Sequence, residues 1–405
     1  MSLTVSTIVS KSGGGISSRS EIDFAKHIAL TSSCVFIALF SPLISFYLCI
    51  FFLLAFTQHL DKKTVSWIGY ICAYSGSVMI ASRKTFEPSD DFAHYFHAYL
   101  SIMHNGWQAI PNPYGTEIGL PFYFWVLSWL GITSQIFPLF AVAMLSSSLF
   151  VFWLNKYGSL RFPSSNYGTM MAVSLLFYSF LSASLVSRQM VGLSLTLLAI
   201  STVGWRSFAW LISALLFHQS SILTFMLLKF AKRLNWYWVI IVLILGILFL
   251  LEFHQVVEIA VQSNLDFIRV VSKFEYYTTS TQSYTSADLS GLKFVTLCFV
   301  ATLLSAKYMP EGWGLMILLV TILYVLFLPY ALIPLRTFLF FVAVFAGYIA
   351  TFLGYRIGWS VLSWGSAVYA IYTLVKLATL GQDYPFLLWD KFDWVGIFPL
   401  YYFSS

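Results

Sequence analysis

A few polar side chains interrupt the long apolar runs of this 405-residue sequence. Arg188 and Gln189 break one apolar stretch, and His218 lies between the two apolar halves of another. Arg336 stands between two later apolar runs. Ionisable groups at membrane depth are costly, so they are candidates for function. Arginine grips phosphate through paired hydrogen bonds, and histidine or a carboxylate can take a proton from a hydroxyl group.

A second group of polar residues lies in the first polar stretch of the chain, residues 83–117. Its members are acidic, basic or aromatic: Arg83, Asp90, Asp91, Tyr95, Tyr99 and Glu117. Glu117 stands where the next apolar run begins. Two arginines, one histidine and acidic residues at membrane boundaries would together form a site for an anionic, lipid-linked substrate.

Each of these residues also has a purely structural interpretation. An arginine beside an apolar run can end a helix or extend its charge to the membrane surface. A lone histidine can be satisfied by a neighbouring carbonyl. Asp90 and Asp91 could cap a helix expected from Phe92 to His104. The two tyrosines could belong to the aromatic belt at the membrane interface, and Glu117 could mark a membrane boundary.

The elements that must position these groups are membrane helices. The sequence is 59% hydrophobic and 9% charged, with a mean hydropathy of +0.81, whereas soluble domains carry about 25% charged residues. The apolar runs are continuous, which excludes the alternating strands of a membrane β-barrel. We predict an all-α, polytopic integral membrane protein with roughly 11–13 transmembrane helices, since each needs about 20 apolar residues.

The chain divides into a polar, flexible tail (1–26), a transmembrane domain (27–380) and an aromatic, acidic C-terminal tail (381–405). The transmembrane domain contains two large polar loops, 83–117 and 252–288. Its first apolar run, Ile28–Thr57, has Ser41-Pro42 in the middle. Because proline disrupts helices, this run is either one kinked helix or two short ones.

The net charge of +6 comes from basic residues that stand singly or in small groups beside apolar runs. This pattern is typical of the positive-inside rule and of lipid headgroups, and nucleic acid is not an expected partner. Lys62-Lys63, Arg206 and residues 229–233 are predicted on the cytoplasmic side, with both large loops outside. Residues 156–161 fall on that side only if the number of membrane crossings between these segments is adjusted. A re-entrant or broken helix would do this, and the segment around His218 is the candidate.

The four cysteines all lie inside apolar runs, and their spacing fits neither a zinc site nor a disulfide framework. We therefore expect them to act as small apolar residues in helices. No metal is expected.

The order of the polar elements resembles the EpsG family of Wzy-type polysaccharide polymerases. The order of residues that resembles the front half of the family is Arg83, then Asp91-x-x-x-Tyr95-x-x-x-Tyr99, then Glu117. Later matches are Arg188-Gln189 followed by VGLSLTLLA, the FHQSSILTF segment with His218, and Pro329-Tyr330 with Arg336. The resemblance runs from about Arg83 to Arg356. One departure is that Ser89 and Asp90 stand where the family commonly has glycine before the loop aspartate.

This resemblance implies an inverting glycosyltransferase of GT-C-like architecture in the bacterial inner membrane, with its active site facing the exterior. It would join undecaprenyl-pyrophosphate-linked repeat units into O-antigen, capsule or exopolysaccharide, without a cofactor or a metal. The implied partners are membrane lipids, a Wzz-type chain-length regulator and a flippase. A lipid-linked oligosaccharide flippase, an O-antigen ligase and another GT-C glycosyltransferase remain alternatives.

The same resemblance suggests a role for each candidate residue. The pyrophosphate would be bound by arginines: Arg188, Arg336 and Arg83. His218 is the first choice for the catalytic base, and Asp91 and Glu117 are the further catalytic candidates. Glycan contacts are expected from Tyr95, Tyr99, Gln189, Asp90 and Tyr330.

Overall fold

A computed structural model describes residues 15–83, 91–110, 117–248, 285–328, 338–379 and 392–403. Within these ranges the regular structure is helical and no β-strand occurs, which confirms the all-α prediction. The helices are α1 (Gly15–Phe40), α2 (Pro42–Ala55), α3 (Lys62–Ala81), α4 (Asp91–Asn105), α5 (Gly119–Ser128), α6 (Ile136–Lys156), α7 (Tyr167–Leu176), α8 (Phe180–Leu185), α9 (Ser187–Ser201), α10 (Trp205–Phe217), α11 (Ser221–Phe230), α12 (Trp236–Leu248), α13 (Thr285–Ser305), α14 (Trp313–Leu326), α15 (Ala346–Thr351), α16 (Gly354–Ile357) and α17 (Trp359–Thr379). A π-helix, Phe340–Phe345, leads into α15.

Three helical segments of the described chain are long and apolar enough to cross a membrane: Lys62–Ala81, Ile136–Arg161 and Gly291–Tyr308. Eight further apolar helices have 10–17 residues. Several apolar runs that were expected to form single spans are divided by breaks, which accounts for the short helices. The number of spans stays a prediction.

The first apolar run forms two helices that fold back on each other. Pro42 begins α2 directly after Ser41, which leaves no continuous helix through this point. The hydroxyl of Ser45 donates to the carbonyl of Cys34 at 3.2 Å, although the two residues are 11 apart in sequence. In one continuous helix they would be about 16 Å apart. The two-helix alternative is therefore confirmed, and α1 and α2 form an antiparallel hairpin.

Helices α3 and α6 are antiparallel, and their ends define the two ends of the bundle. The hydroxyls of Ser77 and Ser147 lie 3.3 Å apart, and Asn155 donates to Ser66 at 2.7 Å. We call the end where α3 begins and α6 finishes the basic end, because it carries Lys62, Lys63, Lys156 and Arg161. The opposite end, where Arg83 follows α3, is called the site end.

Small polar residues line the packed interfaces of α3, α6 and α9 inside the bundle. Ser77, Ser146, Ser147 and Ser194 are all fully buried. The hydroxyl of Ser146 lies 2.6 Å from that of Tyr178, just after α7. Small residues let membrane helices approach closely, and their hydroxyls satisfy one another across the interface.

Helix α5 is shorter than the span expected from its apolar run. Its ten residues extend about 15 Å, well short of the roughly 30 Å of a bilayer core. Next to it, the hydroxyl of Tyr99 in α4 donates to the carbonyl of Ile132 at 2.7 Å. Tyr123 of α5 donates to Ala141 near the start of α6 at 3.1 Å. The chain thus passes from α4 to α6 at the site end of the bundle, and residues 156–161 lie at the same end as Lys62 and Lys63. The membrane topology stays a prediction.

The segment 392–403 closes over the tip of the α1–α2 hairpin. The backbone N–H of Gly396 donates to Phe40 at 2.7 Å, and that of Leu400 donates to Leu39 at 2.9 Å. The hydroxyl of Tyr402 lies 2.6 Å from that of Tyr74 in α3. This part of the C-terminal tail is therefore packed against the bundle at the site end.

Candidate active site

Arg188 lies in the first turn of α9, immediately after a break in the helix. Helix α8 ends at Leu185, and Val186 leaves the helical conformation before α9 begins at Ser187. The Ser187 hydroxyl donates back to the carbonyl of Ala183 at 2.9 Å, which ties the two helices together. The Arg188 side chain is 22% exposed, so its charge faces an accessible region of the site end.

His218 lies at a second break, between α10 and α11. Helix α10 ends at Phe217, His218 is extended with φ −158° and ψ 124°, and α11 begins at Ser221. The predicted helix break around His218 is therefore present, and its effect on the membrane topology stays a prediction. The imidazole is 25% exposed.

The carboxylate of Glu117 contacts residues at both helix breaks. Its Oε2 accepts a hydrogen bond from Nη1 of Arg188, and its Oε1 lies 2.9 Å from Nδ1 of His218. The same Oε1 accepts the backbone N–H of Gln219 at 3.0 Å. The Arg188 guanidinium also lies over the ring of Tyr95, 5.8 Å from its centroid. We refer to Glu117, Arg188, His218 and Tyr95 as the Glu117 cluster.

The surroundings of Glu117 keep it ionised. Burial raises the pKa of its carboxyl group, but the His218 hydrogen bond and charge, the Arg188 charge and the Gln219 N–H together lower the pKa below its ordinary value. A carboxylate in this state accepts protons poorly and donates none. Glu117 is thus suited to hold the arginine and the histidine in place.

Two glycines allow the break at His218 to approach its neighbours. A Cβ on Gly192, one turn after Arg188, would lie 2.6 Å from the Ser221 hydroxyl and 3.4 Å from Cβ of His218. A Cβ on Gly119 would lie 2.8 Å from the ring of Phe217. Close packing at these two positions sets the distance between α9, the start of α5 and the His218 break.

Arg83 lies apart from the accessible region. Its side chain is fully buried, and its Nε donates to the hydroxyl of Ser184 in α8 at 2.8 Å. Ser184 precedes Arg188 by four residues, on the other side of the break. This placement supports the α8–α9 break, and it gives no exposed surface for the pyrophosphate contact expected of Arg83.

Tyr99 is also placed differently from its predicted glycan-stacking role. Its ring is fully buried and packs edge-on against Phe124, with the centroids 5.6 Å apart. Its hydroxyl is engaged by the carbonyl of Ile132. In this structure the ring has no accessible face and holds α4 against α5, and the glycan contact expected of Tyr99 stays a prediction.

The remaining candidates are placed as follows. Gln189 is buried beside Arg188, and Asp91 is the first residue of α4. Asp90, Tyr330 and Arg336 lie outside the described residues. In the described part of the chain, no three His, Cys, Asp or Glu side chains gather closely enough to hold a metal ion.

Sequence reasoning missed the backbone N–H of Gln219 and the two close-packed glycines. The signals were present but weak. Gln219 directly follows His218, and Gly192 lies four residues after Arg188, on the same face of α9. Neither spacing identifies a contact without the fold.

The fold and the cluster define an all-helical membrane protein that holds an arginine and a histidine on one carboxylate at one end of its bundle. The chain belongs to the EpsG family, whose family model matches residues 66–386, well over half of the sequence. No curated protein and no solved structure matches it. Family membership confirms the resemblance, and it indicates a membrane protein with an O-antigen or exopolysaccharide polymerase-like function and lipid-linked glycan substrates.

Proposed function

We propose that this protein is an inverting membrane glycosyltransferase that polymerises undecaprenyl-pyrophosphate-linked repeat units into O-antigen, capsule or exopolysaccharide. It acts at the outer face of the bacterial inner membrane and has a GT-C-like architecture. The observation that carries the proposal is the Glu117 cluster, which joins Arg188 and His218 at the site end. All members of the cluster fall within residues 66–386, the part matched by the family.

The reaction needs one bond to form and one to break. The acceptor hydroxyl oxygen bonds to the anomeric carbon of the donor glycan, and the bond from that carbon to the pyrophosphate oxygen breaks. The pyrophosphate leaves with the electron pair and remains on its lipid carrier. A single displacement from the face opposite the leaving group inverts the anomeric centre.

Arg188 is the residue we assign to the leaving pyrophosphate. Its planar guanidinium is partly exposed, and Glu117 and Tyr95 hold it from two sides. A fixed positive charge stabilises the transition state more than the ground state, because negative charge grows on the pyrophosphate as the bond breaks. Arg336 is proposed as a second pyrophosphate ligand on the family resemblance alone.

His218 is the residue we assign to the acceptor proton. Its Nδ1 faces the ionised Glu117, which favours the tautomer with the proton on Nδ1 and the lone pair on Nε2. A carboxylate that fixes the tautomer and orientation of an imidazole is a recurrent arrangement for general-base catalysis. The Nε2 atom would then accept the proton of the acceptor hydroxyl.

The test is polymerisation in vitro, with purified protein, a synthetic undecaprenyl-pyrophosphate repeat unit and the products separated on a gel. His218→Asn keeps an amide near Nδ1 but removes the basic Nε2, so we expect folded protein and no ladder. The matched control is His104→Asn, which alters an exposed histidine on α4 and should leave the ladder intact.

A full ladder from His218→Asn would remove His218 from the mechanism. A wild-type protein that makes no ladder from its correctly matched repeat unit would contradict the polymerase proposal. A flipping assay in liposomes and a ligation assay would then decide between the flippase and ligase alternatives.

A further inference from the structure

A cavity opens at the basic end, opposite the Glu117 cluster. It has a volume of about 500 Å³ and lies between the first half of α3 and the last turn of α6. Six residues line it: Lys62, Lys63, Ser66, Trp67, Tyr70 and Asn155. This size falls within the range of sites for small organic ligands, about 300–1,000 Å³.

The α3 wall of this cavity is one face of the helix. Lys63, Trp67 and Tyr70 follow one another at spacings of four and three residues, so their side chains lie along the same side of α3. The order along that face is a charge, then an indole, then a phenol. From the end of the helix inwards, the cavity therefore changes from cationic to aromatic.

The polar side of the cavity is fixed by a hydrogen bond between the two helices. The Asn155 amide donates to the hydroxyl of Ser66 at 2.7 Å. Lys62 is held over the ring of Tyr167, with its Nζ 5.3 Å from the centroid. Lys62 and Lys63 thus belong to the wall of a cavity that Trp67 and Tyr70 also line.

Among the described residues, those that line the cavity include two lysines and no carboxylate. The neighbouring acid, Asp61, lies next to the wall: its side chain accepts the backbone N–H of Thr64 at 2.9 Å, lies 3.5 Å from His27 and also interacts with the charge of Lys63. Trp67 remains 56% exposed, as is common for tryptophans at the level of the lipid headgroups. The cavity therefore combines a site for an anion with an apolar surface that faces lipid.

We propose that this cavity binds one anionic phospholipid, with the headgroup phosphate at Lys62 and Lys63 and the glycerol and upper acyl chain along Trp67 and Tyr70. Phosphate suits the two ammonium groups, and a free inorganic anion would leave the aromatic wall unused. The lipid would bridge α3 and α6 at their basic ends. This inference is independent of the proposed enzymatic activity.

The test uses full-length, delipidated protein in a neutral detergent and native mass spectrometry, which resolves individual bound lipids. The probes are phosphatidylglycerol, phosphatidylcholine and inorganic phosphate. A lysine near an anionic headgroup contributes about 1 kcal/mol, or about fivefold in affinity. We therefore expect the first phosphatidylglycerol to bind roughly 25-fold more tightly than phosphatidylcholine.

The variants distinguish lipid binding in this cavity from lipid binding to the general positive charge of the basic end. Lys62→Gln with Lys63→Gln should abolish the preference for phosphatidylglycerol. Lys307→Gln, which removes a charge over the Tyr308 ring outside the cavity, should preserve it. Both variants change exposed or ring-stacked lysines, and thermal unfolding verifies that the protein stays folded.

Three results would overturn the proposal. These are equal binding of the two lipids, an unchanged preference in the Lys62 and Lys63 double variant, or inorganic phosphate binding as tightly as phosphatidylglycerol. The last result would identify a site for a free anion rather than for a lipid.

Discussion

Arg188 and His218 meet at the two oxygens of a single carboxylate, that of Glu117. Each lies at a break in a helix, and each break leaves the side chain partly accessible at the site end. The carboxylate therefore fixes the separation between a cation suited to phosphate and an imidazole suited to proton transfer.

Replacement of Arg188 should abolish most of the polymerase activity. Arg188→Ala removes the charge assigned to the leaving pyrophosphate, and we expect a loss of roughly 100-fold or more in rate. Arg188→Lys should recover little, because an ammonium group cannot reproduce the planar guanidinium that contacts Glu117 and Tyr95. Initial rates of ladder formation measure both effects.

Arg206→Ala is the control for this prediction, since Arg206 is an exposed arginine at the start of α10. Its rate should match the wild type. Full-length ladders from Arg188→Ala would show that the arginine is not needed for catalysis.

Glu117 should stabilise the protein in a pH-dependent manner. Its folded-state pKa is below the ordinary value of 4.5, because the hydrogen bonds and charges around it outweigh the effect of burial. A lowered folded-state pKa gives a contribution that is fully present above pH 4.5 and is lost as the pH falls through the lower folded-state pKa. Thermal unfolding in detergent should therefore show a lower Tm for Glu117→Gln at pH 7 and a smaller difference in the acid range.

Glu311→Gln, at an exposed acid in the turn before α14, provides the comparison and should show no such trend. A Tm difference for Glu117→Gln that is the same at pH 7 and in the acid range would contradict the ionised state assigned to Glu117.

Gly192→Ala should damage both stability and activity. The added methyl group would lie 2.6 Å from the Ser221 hydroxyl and 3.2 Å from the carbonyl of Ala214, so the Ser221 side chain must rotate or the His218 break must move away from α9. Overpacking of this kind costs about 1–3 kcal/mol in the free energy of unfolding. Misplacement of a catalytic group by about 1 Å can cost roughly 100-fold in rate.

Gly365→Ala is the matched substitution, because a Cβ at Gly365 of α17 meets nothing within 4 Å. We expect it to be neutral or slightly stabilising. If both alanine variants behave alike in unfolding and in ladder formation, the packing argument at Gly192 fails.

Substitution of Tyr95 should lower the polymerisation rate, whereas substitution of Tyr99 should lower stability, although the two residues are one helical turn apart. Tyr95→Leu removes the ring beneath Arg188, a contact of about 0.5–2 kcal/mol, and should slow polymerisation by roughly 2–30-fold. Tyr95→Phe keeps the ring and should have a smaller effect. Tyr99→Phe loses the hydrogen bond to Ile132, which should lower stability by about 1 kcal/mol while the rate is unchanged.

Ladder assays and thermal unfolding on the same preparations distinguish these outcomes. A Tyr99→Phe variant that slows the reaction as much as Tyr95→Leu would restore a direct role for Tyr99 at the glycan.

Much of the helical framework could be predicted from residue types alone. The long apolar runs require helices in a membrane, and Pro42 marks the position where the first run divides. Arg188, His218 and Glu117 could be named as candidates because charged and polar groups are rare in such runs. These inferences depend on local sequence and on the cost of burying polar groups.

The assembly of the site could not be predicted in the same way. Glu117 is 71 residues from Arg188 and 102 from Gln219, so their contacts depend on how the helices pack. The run that contains α5 is apolar like the runs of the longer helices, and hydropathy alone does not show that its helix has only ten residues. Tyr99 has the residue type expected for sugar stacking, but packing against Phe124 takes its ring out of contact with any ligand.

The α1–α2 hairpin is synthesised early, but the segment 392–403 that packs against it is synthesised near the end of translation. Ser41, at the hairpin tip, donates to the carbonyl of Trp394, which lies 353 residues later in the chain. At translation rates of about 5–20 residues per second, the hairpin would wait roughly 20–70 s in the membrane before its partner emerges from the ribosome. A tag fused close to Phe403, or a truncation before Phe392, would therefore act first on the earliest part of the chain to be inserted.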